Sequence, residues 1–473
     1  MAPLSDDSYG ASTQMNRSLC EYYRCPEQNV PLALTGPLSE RSGYFRLGSN
    51  VLYGSLHGGD VAAAPGHALK DVSSECGCEQ GKVHLPFDAS QVVNSLRYET
   101  YMNSSAGRHP ASSLVGRGYY FVRPILPVAL RRHLQKLRLN GWRHLNFPKW
   151  PVDQTIENVL EHLLLMCLRA GRVQKVPFIW FWPNGASSCA IMTHDVETAV
   201  GRDFCSSLMA VDSEFGVKAS FQVVPESRYE VPERYLDDIR ARDFEVTVQD
   251  LNHDGHLFRS KKEFLSRAVR INEYGRKFRA EGFRSAILYR RQEWYDALEF
   301  SYDMTVPNVA HLDPQRGGCC TVMPYFVGKL VELPVTTTQD YSLFHILEDH
   351  NINLWKTQID LIMAKHGLMN FIIHPDYIIG KEEMATYRAL LKHLTQLAAE
   401  RNIWLPLPRE VAQWWRQRSN MKLVKMNGQW QIEGKGSERA RIAYASEKDG
   451  QLVYSFESAI EGAASQTLAS QRI

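Results

Sequence analysis

Five polar clusters in this chain each lie in or just after a stretch apolar enough to be a buried strand. The first is Cys189-Ala-Ile-Met-Thr-His-Asp-Val-Glu197, which stops abruptly at His194, Asp195 and Glu197. Two carboxylates and an imidazole at the end of a buried strand carry a desolvation cost that pairing or a bound cation must offset. The others are Gln249-Asp-Leu-Asn-His253-Asp-Gly-His256, Phe283-Arg284, Tyr302-Asp303 and Phe371-Ile-Ile-His374-Pro-Asp376. These residue types suit proton transfer and cation binding. Each has an ordinary reading alone: His374 as a hydrogen-bonded core histidine, Arg284 as an ion-pair partner, Asp303 as a turn residue. Five in succession at strand ends point to one site.

The elements that must carry these residues alternate between strand and helix. Strands are expected at Cys189–Asp195, Lys218–Val224, Phe244–Val248, Phe283–Tyr289, Ser301–Val306, Lys329–Val335 and Met369–His374. Helical spacing lies between them, at Arg202–Phe215, Glu233–Arg242, Leu354–His366 and Glu382–Glu400, with a last helix at Glu410–Arg418. Ser260-Lys-Lys-Glu263 is a capping box that opens a further helix, and Gly282 ends it. Repeated βα units over about 230 residues predict an α/β fold with a parallel sheet or barrel, its site at the carboxyl ends of the strands.

The flanks read differently. Residues 1–115 are rich in Gly and Ser, with a possible small β unit around Gly43–Leu47 and Asn50–Leu56 and a linker over 102–116. Residues 116–185 form a helical segment leading into the 186–418 barrel, with a basic and apolar pattern at Val128–Arg138 and a core-facing stripe at Ile156, Val159, Leu160, Leu163 and Cys167. Residues 419–473 predict a small β unit with turns at Asn427-Gly428 and Asp449-Gly450, then a disordered tail of about a dozen residues.

Composition narrows the functional classes. The 473 residues are 44% hydrophobic and 22% charged with a formal charge of +2, which gives no polybasic footprint for nucleic acid. The chain shows no secretory signal and no apolar run of transmembrane length, and its nine cysteines suit a reducing cytoplasm. Cys20, Cys25, Cys76 and Cys78 lack zinc-knuckle spacing and read as free thiols.

Over residues 186–418 the clusters resemble the polysaccharide deacetylase (NodB-like) family. That resemblance implies a distorted (β/α) barrel, one divalent metal, zinc being the expected ion, and removal of acetyl groups from amino sugars. Thr193-His-Asp-Val-Glu197 is similar to the family's first motif, an acidic pair of base and metal ligand, with one residue inserted between the acids. Order alone makes Asp195 the base and Glu197 the ligand. Gln249-Asp-Leu-Asn-His253 matches the H-x-x-x-H metal motif, implying His253 and Gln249 as ligands, although Gln249 stands where the family has histidine. Arg284 matches the arginine that holds the base, with Ala286 in place of a nearby proline, and His374 matches the general acid. Asp303 is loosely similar to a fourth-motif acid; it and Tyr289 are candidates for substrate contact.

The departure at Gln249 matters because a neutral amide oxygen is a poorer zinc donor than imidazole. Weak metal binding, recruitment of His256 or His194, and a degraded site all stay open. The function expected is metal-dependent hydrolysis of an N- or O-acetylated sugar or polysaccharide precursor. Its rivals are a glycan-binding or regulatory relative and a barrel glycosidase using Asp195 with a distant carboxylate. Two further stretches stand out: Pro314-Gln-Arg-Gly-Gly-Cys-Cys320, a substrate-side loop or redox pair, and Thr336-Thr-Thr-Gln-Asp-Tyr341, a source of sugar-binding hydroxyls or a polar strand end.

Overall fold

The computed structural model describes residues 15–104, 139 and 141–456. The Val128–Arg138 pattern, the linker from residue 105 onward and the final tail lie outside them. Chain order begins with α1 (Arg17–Tyr23), β1 (Leu32–Leu34), β2 (Leu38–Leu47), β3 (Asn50–His57), β4 (Gly77–Glu79), β5 (Lys82–Leu85) and α2 (Ala89–Arg97). Helix α3 (Thr155–Ala170) and strand β6 (Lys175–Ile179) lead into the central region.

There the chain alternates β7 (Ser188–Val196), α4 (Ala199–Glu214), β8 (Ala219–Val223), α5 (Glu233–Ala241), β9 (Glu245–Gln249), α6 (Lys261–Lys277) and β10 (Gly282–Arg284). Next come β11 (Tyr302–Asp303), β12 (Tyr325–Val327), β13 (Leu330–Glu332), α7 (Asn353–Met363), β14 (Leu368–Ile373), α8 (Lys381–Arg401), β15 (Ile403–Trp404) and α9 (Pro408–Asn420). The chain closes with two hairpins, β16 (Lys422–Met426) with β17 (Gln429–Glu433), and β18 (Ile442–Lys448) with β19 (Gln451–Phe456).

The nine central strands form one curled sheet in the order β12-β13-β11-β10-β9-β8-β7-β14, with β15 also on β7. All neighbours are parallel except β12 and β13. Every residue of β7 is buried, because it is paired on both edges and covered on both faces. The sheet curls through half a barrel, and β14 shares no backbone ladder with β13. Side chains bridge that seam: Thr336 Oγ1 donates to the Leu368 carbonyl at 2.7 Å, Thr337 Oγ1 to that of Asn370 at 2.8 Å, and Asn370 Nδ2 to that of Leu333 at 2.9 Å. The Thr336 and Thr337 hydroxyls therefore serve the seam, which accounts for two of the three threonines after the apolar strand.

Strand Phe283–Tyr289 is shorter than its hydrophobicity suggests. It ends at Arg284, and Ala286–Leu288 is a helical turn with Ile287 and Leu288 at positive φ. The capping box at α6 forms on one side: Ser260 Oγ accepts from the Glu263 amide at 3.2 Å.

The segments flanking the half-barrel share one apolar core. Leu19 and Tyr23 of α1, Leu52 of β3, Leu160 of α3, Phe178 of β6, Trp414 of α9 and Ala443 of β18 all belong to it. Strand β18 pairs antiparallel with β6, so the last hairpin is stitched to the strand that precedes the half-barrel. The Gly317-Gly318 loop is held from the same side. Arg290 reaches Glu99 through Nε at 2.6 Å and Nη2 at 2.5 Å, and Glu99 accepts from the Gly318 amide at 2.6 Å. Gly317 has φ 117°, and a Cβ there would overlap Glu99 Oε1. Cys319 and Cys320 are buried free thiols whose pKa burial pushes well up, which suits packing rather than redox exchange.

Candidate active site

The carboxyl ends of β7, β9, β10 and β14 bring Asp195, Glu197, Gln249, His253, Arg284 and His374 into one cluster. Side chains alternate along β7, so Thr193 and Asp195 turn to the concave face while His194 turns to the helices. His194 there contacts Asp212 of α4, Nε2 to Oδ2 at 2.9 Å, and serves packing rather than the cluster. Arg284 faces Gln249 in register on β9 and is fully buried. Its Nη1 donates to Asp195 Oδ1 at 2.6 Å and Thr193 Oγ1 at 2.8 Å, and its Nε to the Met304 carbonyl at 2.8 Å. Three fixed acceptors orient the guanidinium, and Asp195 is held by it.

Glu197 Oε1 is the centre of the other half. His253 Nε2 lies 2.7 Å away, His374 Nε2 3.6 Å, and Gln249 Nε2 3.3 Å. Burial alone would push the Glu197 carboxyl up, but His253 and His374 outweigh it and hold the group well below the ordinary range. Burial acts in the opposite sense on His374, yet Asp340 and Glu197 raise its imidazole well above the ordinary value. His253 is raised too, by Glu197 against burial. Asp340 binds His374 twice: ring Nδ1 to Oδ1 at 2.6 Å, and backbone amide to Oδ2 at 2.7 Å. This fixes the tautomer and aims Nε2 at Glu197.

The donors fit a divalent cation. Ligand atoms of Asp195, Glu197 and His374 all lie within 4.8 Å of one another. Gln249 Oε1 and His253 Nε2 are buried, and neither makes an aligned hydrogen bond. Against this, Gln249 turns its amide nitrogen to Asp195 Oδ2 at 3.2 Å as well as to Glu197, so a neutral donor bridges the two carboxylates.

Comparison with other proteins finds only distant likenesses. No family model and no curated protein matches the chain. A Mycobacterium smegmatis protein assigned as a polysaccharide deacetylase aligns at 17% identity and TM-score 0.41, over 50% of this chain and 93% of its own. Several structural neighbours are polysaccharide deacetylases. A peptidoglycan deacetylase from Bacillus subtilis aligns at 15% identity and TM-score 0.32, over 50% of this chain and 95% of its own. The Puue allantoinase aligns at 11% identity and TM-score 0.40, over 50% and 92%. Similarity at this level carries no conclusion about chemistry, which must come from the cluster itself.

The two candidates for substrate contact are both buried. Asp303 is fully buried, with Oδ1 accepting from Thr305 Oγ1 at 2.7 Å. Burial raises its carboxyl, and burial and Asp303 together raise Glu332 beside it. Tyr289 is buried in the half-barrel core, its carbonyl accepting from Ser285 Oγ at 2.5 Å. His256 turns outward, 3.5 Å from Asp254 with its side chain 39% exposed, so it does not replace Gln249. Asp340 was not singled out by sequence reasoning. Its signal was an acid in the Thr336–Tyr341 run, where the hydroxyls drew attention instead.

Proposed function

We propose that this protein is a hydrolase that removes acetyl groups from an N- or O-acetylated sugar or polysaccharide precursor, with a divalent metal held by Glu197 and His253. The observation that carries this reading is the pairing of opposed proton carriers around Glu197: Asp195 fixed by Arg284 on one side, His374 fixed by Asp340 on the other. Asp195 is the general base that takes a proton from the attacking water as its oxygen bonds to the acetyl carbon. His374, whose imidazole Asp340 and Glu197 favour in its protonated form against burial, is the acid that protonates the leaving amine nitrogen or alkoxide as the carbonyl carbon releases it. Acetate and the free amino or hydroxyl sugar are the products. A bound divalent cation, zinc by preference, supplies Lewis acidity to the carbonyl and acidity to the water. Nine free cysteines suit a reducing cytoplasm for this work.

One observation favours a second reading, a catalytically impaired, glycan-binding relative. Gln249 Nε2 already donates to both carboxylates that would draw a cation. Purified protein supplied with Zn²⁺ or Co²⁺ and a panel of acetylated amino sugars distinguishes the two. Acetate release that disappears in Asp195→Asn supports the hydrolase; no release from any member, with no metal retained, selects the binding relative.

A further inference from the structure

Beside the proton carriers stands a wall of aromatic rings that the proposed reaction does not use. Tyr377 follows His374 by three residues, and their rings are 4.7 Å apart. Tyr341 follows Asp340 directly and lies 5.5 Å from Tyr377. His345 completes the group, 5.3 Å from Tyr341 and 5.2 Å from Tyr377. Tyr341, His345 and Tyr377 are each half-buried, so the wall is neither core nor free surface.

Its backbone is unusual as well. Ser342–Ile346 is a π-helical turn, a geometry that proteins keep in short pieces and often near functional sites. This turn begins two residues after Asp340 and sets Tyr341 and His345 around one ring, Tyr377. The same segment thus carries Asp340, the partner of His374, and two rings of the wall.

The chemistry of the proposed substrate says what such a wall would meet. In an acetamido sugar a single nitrogen separates the carbonyl carbon from the ring carbon. With the acetyl group at Glu197 and His374, the sugar ring must lie on the surface adjoining His374. A pyranose presents a face of C–H bonds, and the negative face of an aromatic ring attracts it while a rigid phenol loses little entropy.

We propose that Tyr377, with Tyr341 and His345, is the platform on which the pyranose ring bearing the acetyl group stacks. The inference rests on the deacetylase reading for the placement of the acetyl group, so its test separates the two. The probe is a soluble β-linked tetramer of N-acetylglucosamine, its binding measured by calorimetry to full-length Asp195→Asn, which needs no turnover. Adding Tyr377→Ala should weaken binding by about tenfold, Tyr341→Ala by several-fold, and Tyr377→Phe should leave it within about twofold. Each variant is first matched to its parent by circular dichroism. In the catalytically intact chain, Tyr377→Ala should raise KM for the tetramer more than it lowers kcat. Equal affinity with and without the rings, or no binding by the parent, would overturn the platform even if acetate is released. Ring-dependent binding by a protein that releases no acetate would uphold the platform and reject the deacetylase.

Discussion

His374 and Asp340 are joined by two hydrogen bonds, one from the ring at 2.6 Å and one from the backbone amide at 2.7 Å. The second bond seats the carboxylate and the first orients the imidazole, so neither rotates alone. Asp340 is fully buried and comes from the segment that approaches β14 across the seam. The open edge of the sheet is thus where the acid of the proposed reaction is assembled.

Asp340→Asn keeps the shape and removes the charge. It should lower kcat by about 100-fold or more, the range for a mis-set acid catalyst. Asp340 raises the His374 pKa, so the protonated form persists above its ordinary value. Without that charge the alkaline fall in activity should move to lower pH. A pH–rate profile of both proteins checks this, and an unmoved alkaline limb would remove Asp340 from the proton chemistry.

Arg284 is buried with Asp195 at 2.6 Å. Arg284→Met leaves a buried carboxylate without its partner and should cost about 3–5 kcal/mol of stability. Activity should fall with it, whereas a double variant Arg284→Met/Asp195→Leu should regain much of the stability and none of the activity. Thermal melts beside acetate assays separate these outcomes.

Gln249→His exchanges a bridging amide for an imidazole. Retained zinc, read by elemental analysis after dialysis, should rise in the variant, with affinity increased by about tenfold or more. Chelation of the wild-type protein should abolish acetate release and zinc should restore it. Identical metal content in the two proteins would show that Gln249 does not border the ion.

Glu157 of α3 is fully buried, and burial pushes its carboxyl up to about 7 from 4.5. A folded pKa above the unfolded one means the native state binds the proton more tightly. Stability is therefore highest below about pH 4.5 for this group and declines as pH rises to about 7, by about 3 kcal/mol in all. Glu157→Gln should raise the melting temperature at pH 8 and have little effect at pH 4.5. Equal melting shifts at both values would count against this ionisation.

Glu99→Ala should loosen the Gly317-Gly318 loop. The change strands the buried Arg290 and the Gly318 amide, with an expected loss of about 3–5 kcal/mol. Limited proteolysis within residues 308–318 should accelerate if the contact holds that loop, and an unchanged digestion pattern would contradict it.

Much of the site's order was legible along the chain. Asp195, Gln249 and His374 each follow an apolar run, and burial of parallel strands on both faces makes such runs nearly continuous. Alternation along β7 also decides locally that Asp195 and His194 part company. Strand length was less legible: Phe283–Tyr289 reads as one strand, yet the backbone turns after Arg284 into positive φ at Ile287 and Leu288. Side-chain hydrophobicity does not report that turn.

By itself, then, the sequence determined which polar groups sit at strand ends and in what order, because periodicity and apolar runs are local properties. The Asn427-Gly428 and Asp449-Gly450 turns are of the same kind, since positive φ at both residues suits each hairpin. Only the tertiary structure decided which groups meet. Asp340 reaches His374 because the curled sheet leaves a seam that side chains must bridge. Asp303 and Tyr289 pack inside, and His253 reaches Glu197 while His256 faces water because one loop bends between them. Contacts between residues far apart in the chain depend on curvature and packing, and no local pattern encodes those.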